Sequence, residues 1–127
     1  GAASGVVGGF SGINTASGGS SAILAGTDAD SAWTLDGSPT YSDGVRELAF
    51  SGFGTLQGGA GADAYVISAN TTASLKGGAG DDGFTFAANG VTLPGSIAGE
   101  AGGNSLSHSG YTSAVSVSLS GSSATLG

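Results

Sequence analysis

Residues 56–86 spell one phrase twice. The first copy reads Leu56-Gln57-Gly58-Gly59-Ala60-Gly61-Ala62-Asp63-Ala64-Tyr65, and the second Leu75-Lys76-Gly77-Gly78-Ala79-Gly80-Asp81-Asp82-Gly83-Phe84. Both contain G-G-x-G-x-D-x-U, where U is a large apolar residue. Closely spaced glycines let the backbone turn tightly. The Asp can accept hydrogen bonds from turn amides or bind a hard cation. The U residue then opens a short strand and points inward.

Two worn copies flank the sharp ones. Leu24 and Trp33 stand nine residues apart, as do Leu56 and Tyr65, Leu75 and Phe84, and Ile97 and Leu106. In the first worn copy Ser31 replaces the Asp, and in the last Asn104 does. The copies start 32, 19 and 22 residues apart. A compact roll needs consecutive nonapeptides, so this spacing predicts a less regular architecture. The expectation is an all-β chain forming a single parallel β-solenoid. It would have about six irregular rungs of roughly 20 residues each and no substantial helix.

Composition agrees with many short strands and tight turns. Of 127 residues, 27 are Gly, only 9% are charged, and apolar residues come in short pieces. One domain spanning residues 1–127 is the natural count. Between the first two copies lies a polar insert. It holds the turn signals Asp36-Gly37 and Ser38-Pro39, and then Tyr41, Arg46 and Glu47. Residues 113–120 alternate apolar and polar and read as a strand.

Net charge is -7, and the only bases are Arg46 and Lys76. Nothing here neutralises phosphates, which excludes a nucleic-acid partner. The same balance argues against an anionic membrane surface, and no apolar run is long enough to span a bilayer. The lack of Cys excludes disulfides and thiolate zinc sites. The lack of Met is expected either of a chain whose initiator Met was removed before Gly1 or of a mature or excerpted piece, with any export signal outside these residues.

Every Asp, Glu, Lys and Arg lies between Asp28 and Glu100. Free-standing repeat arrays protect their open ends with charge, proline or a cap. These charge-free termini predict that each end meets another copy. The expected cohesive residues are Val6, Val7, Phe10 and Ile13 at one end, and Val115, Val117 and Leu119 at the other.

The phrases LQGGAGADAYV, SLKGGAGDDGFTF and GGNSLSHSGYTSAVSVSLS resemble the RTX-like, haemagglutinin-type giant repeat proteins of bacterial surfaces. The resemblance covers about residues 50–120 well and the first 50 loosely. It implies secretion, an extracellular or cell-surface place, tandem repetition and often bound calcium. It does not imply one activity. Only two of the four copies keep the Asp, and the copies are not contiguous.

For Asp63 and Asp82 two readings stand side by side. Stacked on neighbouring strands, with Asp81 as a further ligand, they would form a Ca2+ site completed by turn carbonyls. Alternatively, each Asp caps its own turn. His108 is the only imidazole and has no second His or Cys beside it, so a transition-metal site is not expected. No G-x-S-x-G elbow appears, and no catalytic residue is assigned; the chain is not expected to be an enzyme. Arg46 and Glu47 are neighbours in sequence, face opposite ways on a strand, and read as solvated surface. Trp33, Tyr65 and Phe84 read as core, with Tyr41 as an exposed contact. The leading expectation is a structural repeat unit of an extracellular fibre or giant adhesin, stacked on copies of itself. The alternatives are a calcium-dependent adhesion or export module, and a carbohydrate-binding or carbohydrate-modifying part of a secreted enzyme, with a surface glycan as partner.

Overall fold

The computed structural model describes residues 12–112 and, for the backbone alone, the strand Thr125–Leu126. All regular structure among them is β. In chain order the strands are β1 (Thr15–Ser17), β2 (Ile23–Ala25), β3 (Ser31–Leu35), β4 (Thr40–Ser42), β5 (Glu47–Ser51) and β6 (Thr55–Gln57). They continue with β7 (Asp63–Ile67), β8 (Ser74–Gly78), β9 (Gly83–Phe86), β10 (Ile97–Glu100), β11 (Ser105–Ser107) and β12 (Thr125–Leu126).

The nine-residue spacing sets the pairing. Each copy begins on a strand of a four-stranded parallel sheet, ordered β10-β8-β6-β2, and crosses a glycine turn into a second, larger sheet. In the small sheet Leu24, Leu56, Leu75 and Ile97 fall into one register column. In the large sheet Trp33, Tyr65, Phe84 and Leu106 form the facing column. Side chains alternate across a strand, so Tyr65 and Ile67 are buried while Ala64 and Val66 face out.

The core lies between the two sheets. Trp33, Leu56, Tyr65, Ile67, Leu75 and Phe84 are each at most 2% exposed. Burying a side chain of this size stabilises by about 1.5–3 kcal/mol. The rings also stack: Trp33 on Tyr65 at 5.3 Å and 6°, and Tyr65 on Phe84 at 4.8 Å and 13°. Such contacts add about 0.5–1.5 kcal/mol per pair.

The expected single parallel β-solenoid does not form. The large sheet has eight strands in the order β1-β5-β4-β3-β7-β9-β11-β12, and it is mixed. β4 runs antiparallel to both β3 and β5. The cause lies in the polar insert. Gly37, at φ 95°, turns the chain back after β3. The β4–β5 hairpin is then closed by Asp43, whose carboxylate accepts the N–H groups of Val45 and Arg46 at 3.0 and 2.8 Å. An extra hairpin is therefore laid onto the sheet where a further parallel strand was expected. β5 still hands the chain to β6 through Gly52–Gly54, so the parallel pairing resumes.

Of the expected cohesive residues, Val6, Val7, Phe10, Val115, Val117 and Leu119 lie outside the described residues, as does the alternating 113–120 segment. Ile13 is described; it precedes β1 and is 54% exposed.

Candidate functional site

The two sharp copies and both worn ones place one residue each at the mouth of four neighbouring parallel strands. Ser31 pairs with Asp63 in register. The pairing of Ala64 with Gly83 sets Asp63 beside Asp82, and that of Gly83 with Ser105 sets Asp82 beside Asn104. The result is a polar column, Ser31–Asp63–Asp82–Asn104, at the edge of the apolar core. Asp63 and Asp82 are 2% and 1% exposed.

The column bonds to its own backbone. Asp63 N–H donates to Asp82 Oδ1 at 2.9 Å, and Asp82 N–H donates to Asn104 Oδ1 at 2.8 Å. Each side chain thus fixes the neighbouring strand. The second atom of each group turns back toward its own glycines, and here the copies diverge. Asp63 Oδ2 accepts Gly59 N–H at 3.0 Å. Asn104 Nδ2 lies within 3.4 Å of the carbonyls of Glu100 and Ala101, to which it donates. Among the described residues, Asp82 Oδ2, which packs on Gly77, has no partner, and Asp63 Oδ1 also lacks a bond of ordinary geometry.

Gly77 is required by that packing. A Cβ there would stand 2.1 Å from Asp82 Oδ2 and 2.6 Å from the Gly99 carbonyl oxygen. Gly78 sits at φ 102°, whereas its register partner Glu100 holds φ 67° without being glycine. A side chain in that region costs about 1–2 kcal/mol.

Burial holds both carboxyls above the usual carboxylate range. For Asp63 the Ser31 hydroxyl and the Gly59 N–H pull partly back, and the charge of Asp30 adds to the rise. For Asp82 the Asp63 N–H pulls back, while the charges of Asp63, Asp81 and Glu100 push further up. Tyr65, whose hydroxyl donates to the Lys76 carbonyl at 2.8 Å, is raised too, first by burial and then by these two carboxyls.

As a calcium site the column fits poorly. Each Asp has committed one oxygen to a backbone N–H. The remaining two, Asp63 Oδ1 and Asp82 Oδ2, have no hydrogen-bond partner among the described residues, and Asp82 Oδ2 lies in its own turn against Gly77. Asp81 is exposed and accepts Gly103 N–H at 2.7 Å. Asp30 does the same for Ala62 one turn away, at 2.9 Å. Among the described residues no three His, Asp or Glu side chains gather as metal ligands.

The other singled-out residues fall elsewhere. Tyr41 is not an exposed contact. It is 9% exposed, packs on Trp33 at 4.5 Å, and its hydroxyl meets Ser31 Oγ at 3.0 Å and accepts Thr27 N–H at 2.8 Å. Arg46 pairs with Asp43 at 2.8 Å on the hairpin tip. His108 is half-buried, and its carbonyl accepts Tyr111 N–H.

Sequence reasoning missed one feature. Where the hairpin leaves the stack, a cleft of about 430 Å³ opens over Phe50, Phe53 and Leu56, with Asn70, Thr71 and Thr72 at its rim and no charged side chain in its lining. Gly37 and Pro39 of the insert contribute to its lining, and the turn signals of the insert did not announce a cleft. Compared with protein-family models, with curated proteins and with solved structures, the chain finds no match.

Proposed function

We propose that this chain is a structural unit of an extracellular bacterial fibre or giant adhesin that joins further copies edge to edge. The observation that carries the reading is the pair of outer strands of the small sheet. β2 and β10 bound an all-parallel sheet, each with a partner on one side only among the described residues. An exposed strand edge is a template for pairing with another chain. β10 of one copy beside β2 of the next would prolong both the backbone ladder and the Leu24–Leu56–Leu75–Ile97 column. Such a contact uses two different surfaces, does not close on itself, and generates filaments.

Electron microscopy of the purified chain tests this. Filaments are the expected result. Single particles at all concentrations would sink the reading and leave the uncharged cleft, as a glycan site, the better account. Ala25→Pro sharpens the test. Ala22 O and Gly26 N both bond β6 or the turn before it, so by alternation the Ala25 amide faces the free edge. Proline there removes an edge donor while sparing the internal ladder, and filaments should disappear. Filaments that dissolve in a chelator would instead favour a calcium-dependent adhesion module.

A further inference from the structure

The loop between β7 and β8 reads Ser68-Ala69-Asn70-Thr71-Thr72-Ala73. The chain has four asparagines, Asn14, Asn70, Asn89 and Asn104, and only Asn70 has a Ser or Thr two places on. Asn-x-Thr, with x other than proline, is the acceptor pattern for N-linked sugars, and it needs a surface loop. The fold supplies one: Asn70 and Thr72 are exposed and lie outside the strands. Asn70 Oδ1 accepts Thr92 N–H at 2.9 Å. That bond holds the side chain by its carbonyl oxygen, whereas a sugar attaches through the amide nitrogen. Anchoring and attachment are therefore compatible.

A second, independent observation lies beside the loop. Asn70, Thr71 and Thr72 line the cleft of about 430 Å³. That volume falls within the roughly 300–1,000 Å³ typical of small-molecule sites. The apolar part of the lining includes Phe50 and Phe53, which meet edge to face at 6.2 Å. Ser20 and Ser51 add hydroxyl side chains to those of Thr71 and Thr72. No charged side chain among the described residues lines the cleft, so an ionic ligand would find no counter-charge there. A neutral sugar ring carries apolar C–H faces and a hydroxyl periphery, and both match this lining.

We infer that Asn70 is an acceptor for N-linked glycosylation and that the first, neutral sugar attached there lies in the neighbouring cleft. The donor is a sugar diphosphate ester. Asn70 Nδ2 bonds to the anomeric carbon of the sugar. The bond from that carbon to the diphosphate oxygen breaks, and the diphosphate leaves with the electron pair. One Nδ2 proton passes to a base of the transferase. The amide keeps one N–H and its carbonyl, so the bond to Thr92 survives, and nothing is oxidised or reduced. The inference shares with the proposed function only its extracellular setting. Its test needs no filaments, so the two can fail separately.

The test is incubation of the purified folded chain with a soluble asparagine glucosyltransferase and uridine diphosphate glucose, read by intact and peptide mass spectrometry. The expected result is a single added hexose on the peptide carrying residues 70–72. Asn70→Gln and Thr72→Val should abolish it, and Thr72→Ser should retain it. In the modified chain, nuclear Overhauser contacts should link the sugar C–H protons to the Phe50 or Phe53 ring. Hexose added only to the urea-unfolded chain, or to neither form, overturns the acceptor role, as does hexose on Asn14, Asn89 or Asn104 instead. A modified chain whose sugar shows no contact with either ring overturns the seat in the cleft.

Discussion

The turns around Asp63 and Asp82 come from nearly the same ten letters and do not solve the same problem in the same way. Asp63 meets a turn that offers it a donor, Gly59 N–H. Asp82 meets a turn in which Gly78 has swung to φ 102° and no donor arrives. The third turn has the same left-handed residue, Glu100, but carries an amide, and Asn104 Nδ2 donates to that turn's carbonyls. Asp82 thus combines the turn that suits Asn104 with the side chain that suits Asp63. A repeated motif specifies where a side chain stands, and the local peptide orientation decides whether that side chain should donate or accept.

The strongest way to break the comparison is Gly77→Ala. The new Cβ would collide with Asp82 Oδ2 and the Gly99 carbonyl, and the expected loss is about 3 kcal/mol in urea unfolding. Gly83→Ala is its control: the nearest atom is Ser105 Oγ at 3.7 Å, and the cost should stay below about 1 kcal/mol.

Asparagine substitutions should then split the two aspartates by sign. Asp63→Asn sets an NH2 against the donors Asp63 now faces, at a cost of about 1 kcal/mol. Asp82→Asn supplies the donor that its turn lacks, and gains about 1 kcal/mol. Equal signs would mean that the two turns are equivalent after all.

The pH profile carries the same contrast. Both buried carboxyls are raised above the ordinary value of 3.8. The folded state therefore holds their protons more tightly than the unfolded chain. Their contribution to stability is full below pH 3.8 and is lost as pH rises through the raised values. Asp43 behaves in the opposite sense. Held down to about 2 by the backbone and side chain of Arg46, it helps above 3.8 and is lost as pH falls toward 2. Chemical denaturation across this range should show Asp82→Asn flattening the alkaline-side decline and Asp43→Asn leaving it in place.

A smaller gain, about 0.5–1 kcal/mol, is expected for Glu100→Gly, which relieves the left-handed strain at the position equivalent to Gly78. The lost Gln57–Glu100 hydrogen bond is exposed and should offset little of it. The smallest effect expected is that of calcium, which should leave the thermal midpoint of the folded chain where it is. A clear upward shift would reinstate Asp63 and Asp82 as ligands.

Much of the core was legible because apolar spacing is a property of the chain alone. The nine-residue interval marked Leu56 and Tyr65, and their equivalents, as a recurring apolar pair; that the pair lies on two facing sheets came from the structure. The hairpin was not legible as a reversal of strand direction. Asp36-Gly37 and Ser38-Pro39 announce turns, but a turn signal does not say which strand the returning chain will join. Tyr41 went astray for the same reason: only the antiparallel return of β4 sets it in register with Trp33. The column's carboxylates were legible as positions. Their unequal satisfaction was not, because it depends on which way Gly59 and Gly78 turn their peptides.

The aromatic column also makes the molecule a ready optical instrument. Trp33 is the sole indole, it is completely buried, and its Nε1 has no partner among the described residues, so its emission should lie at the short-wavelength, dry end of the range. Tyr41 and Tyr65 stand 4.5 and 5.3 Å from it, close enough to hand over their excitation rather than emit. Light absorbed by either phenol should therefore leave through one lamp near the hairpin. Its colour and brightness would track the joining of hairpin and stack without any label.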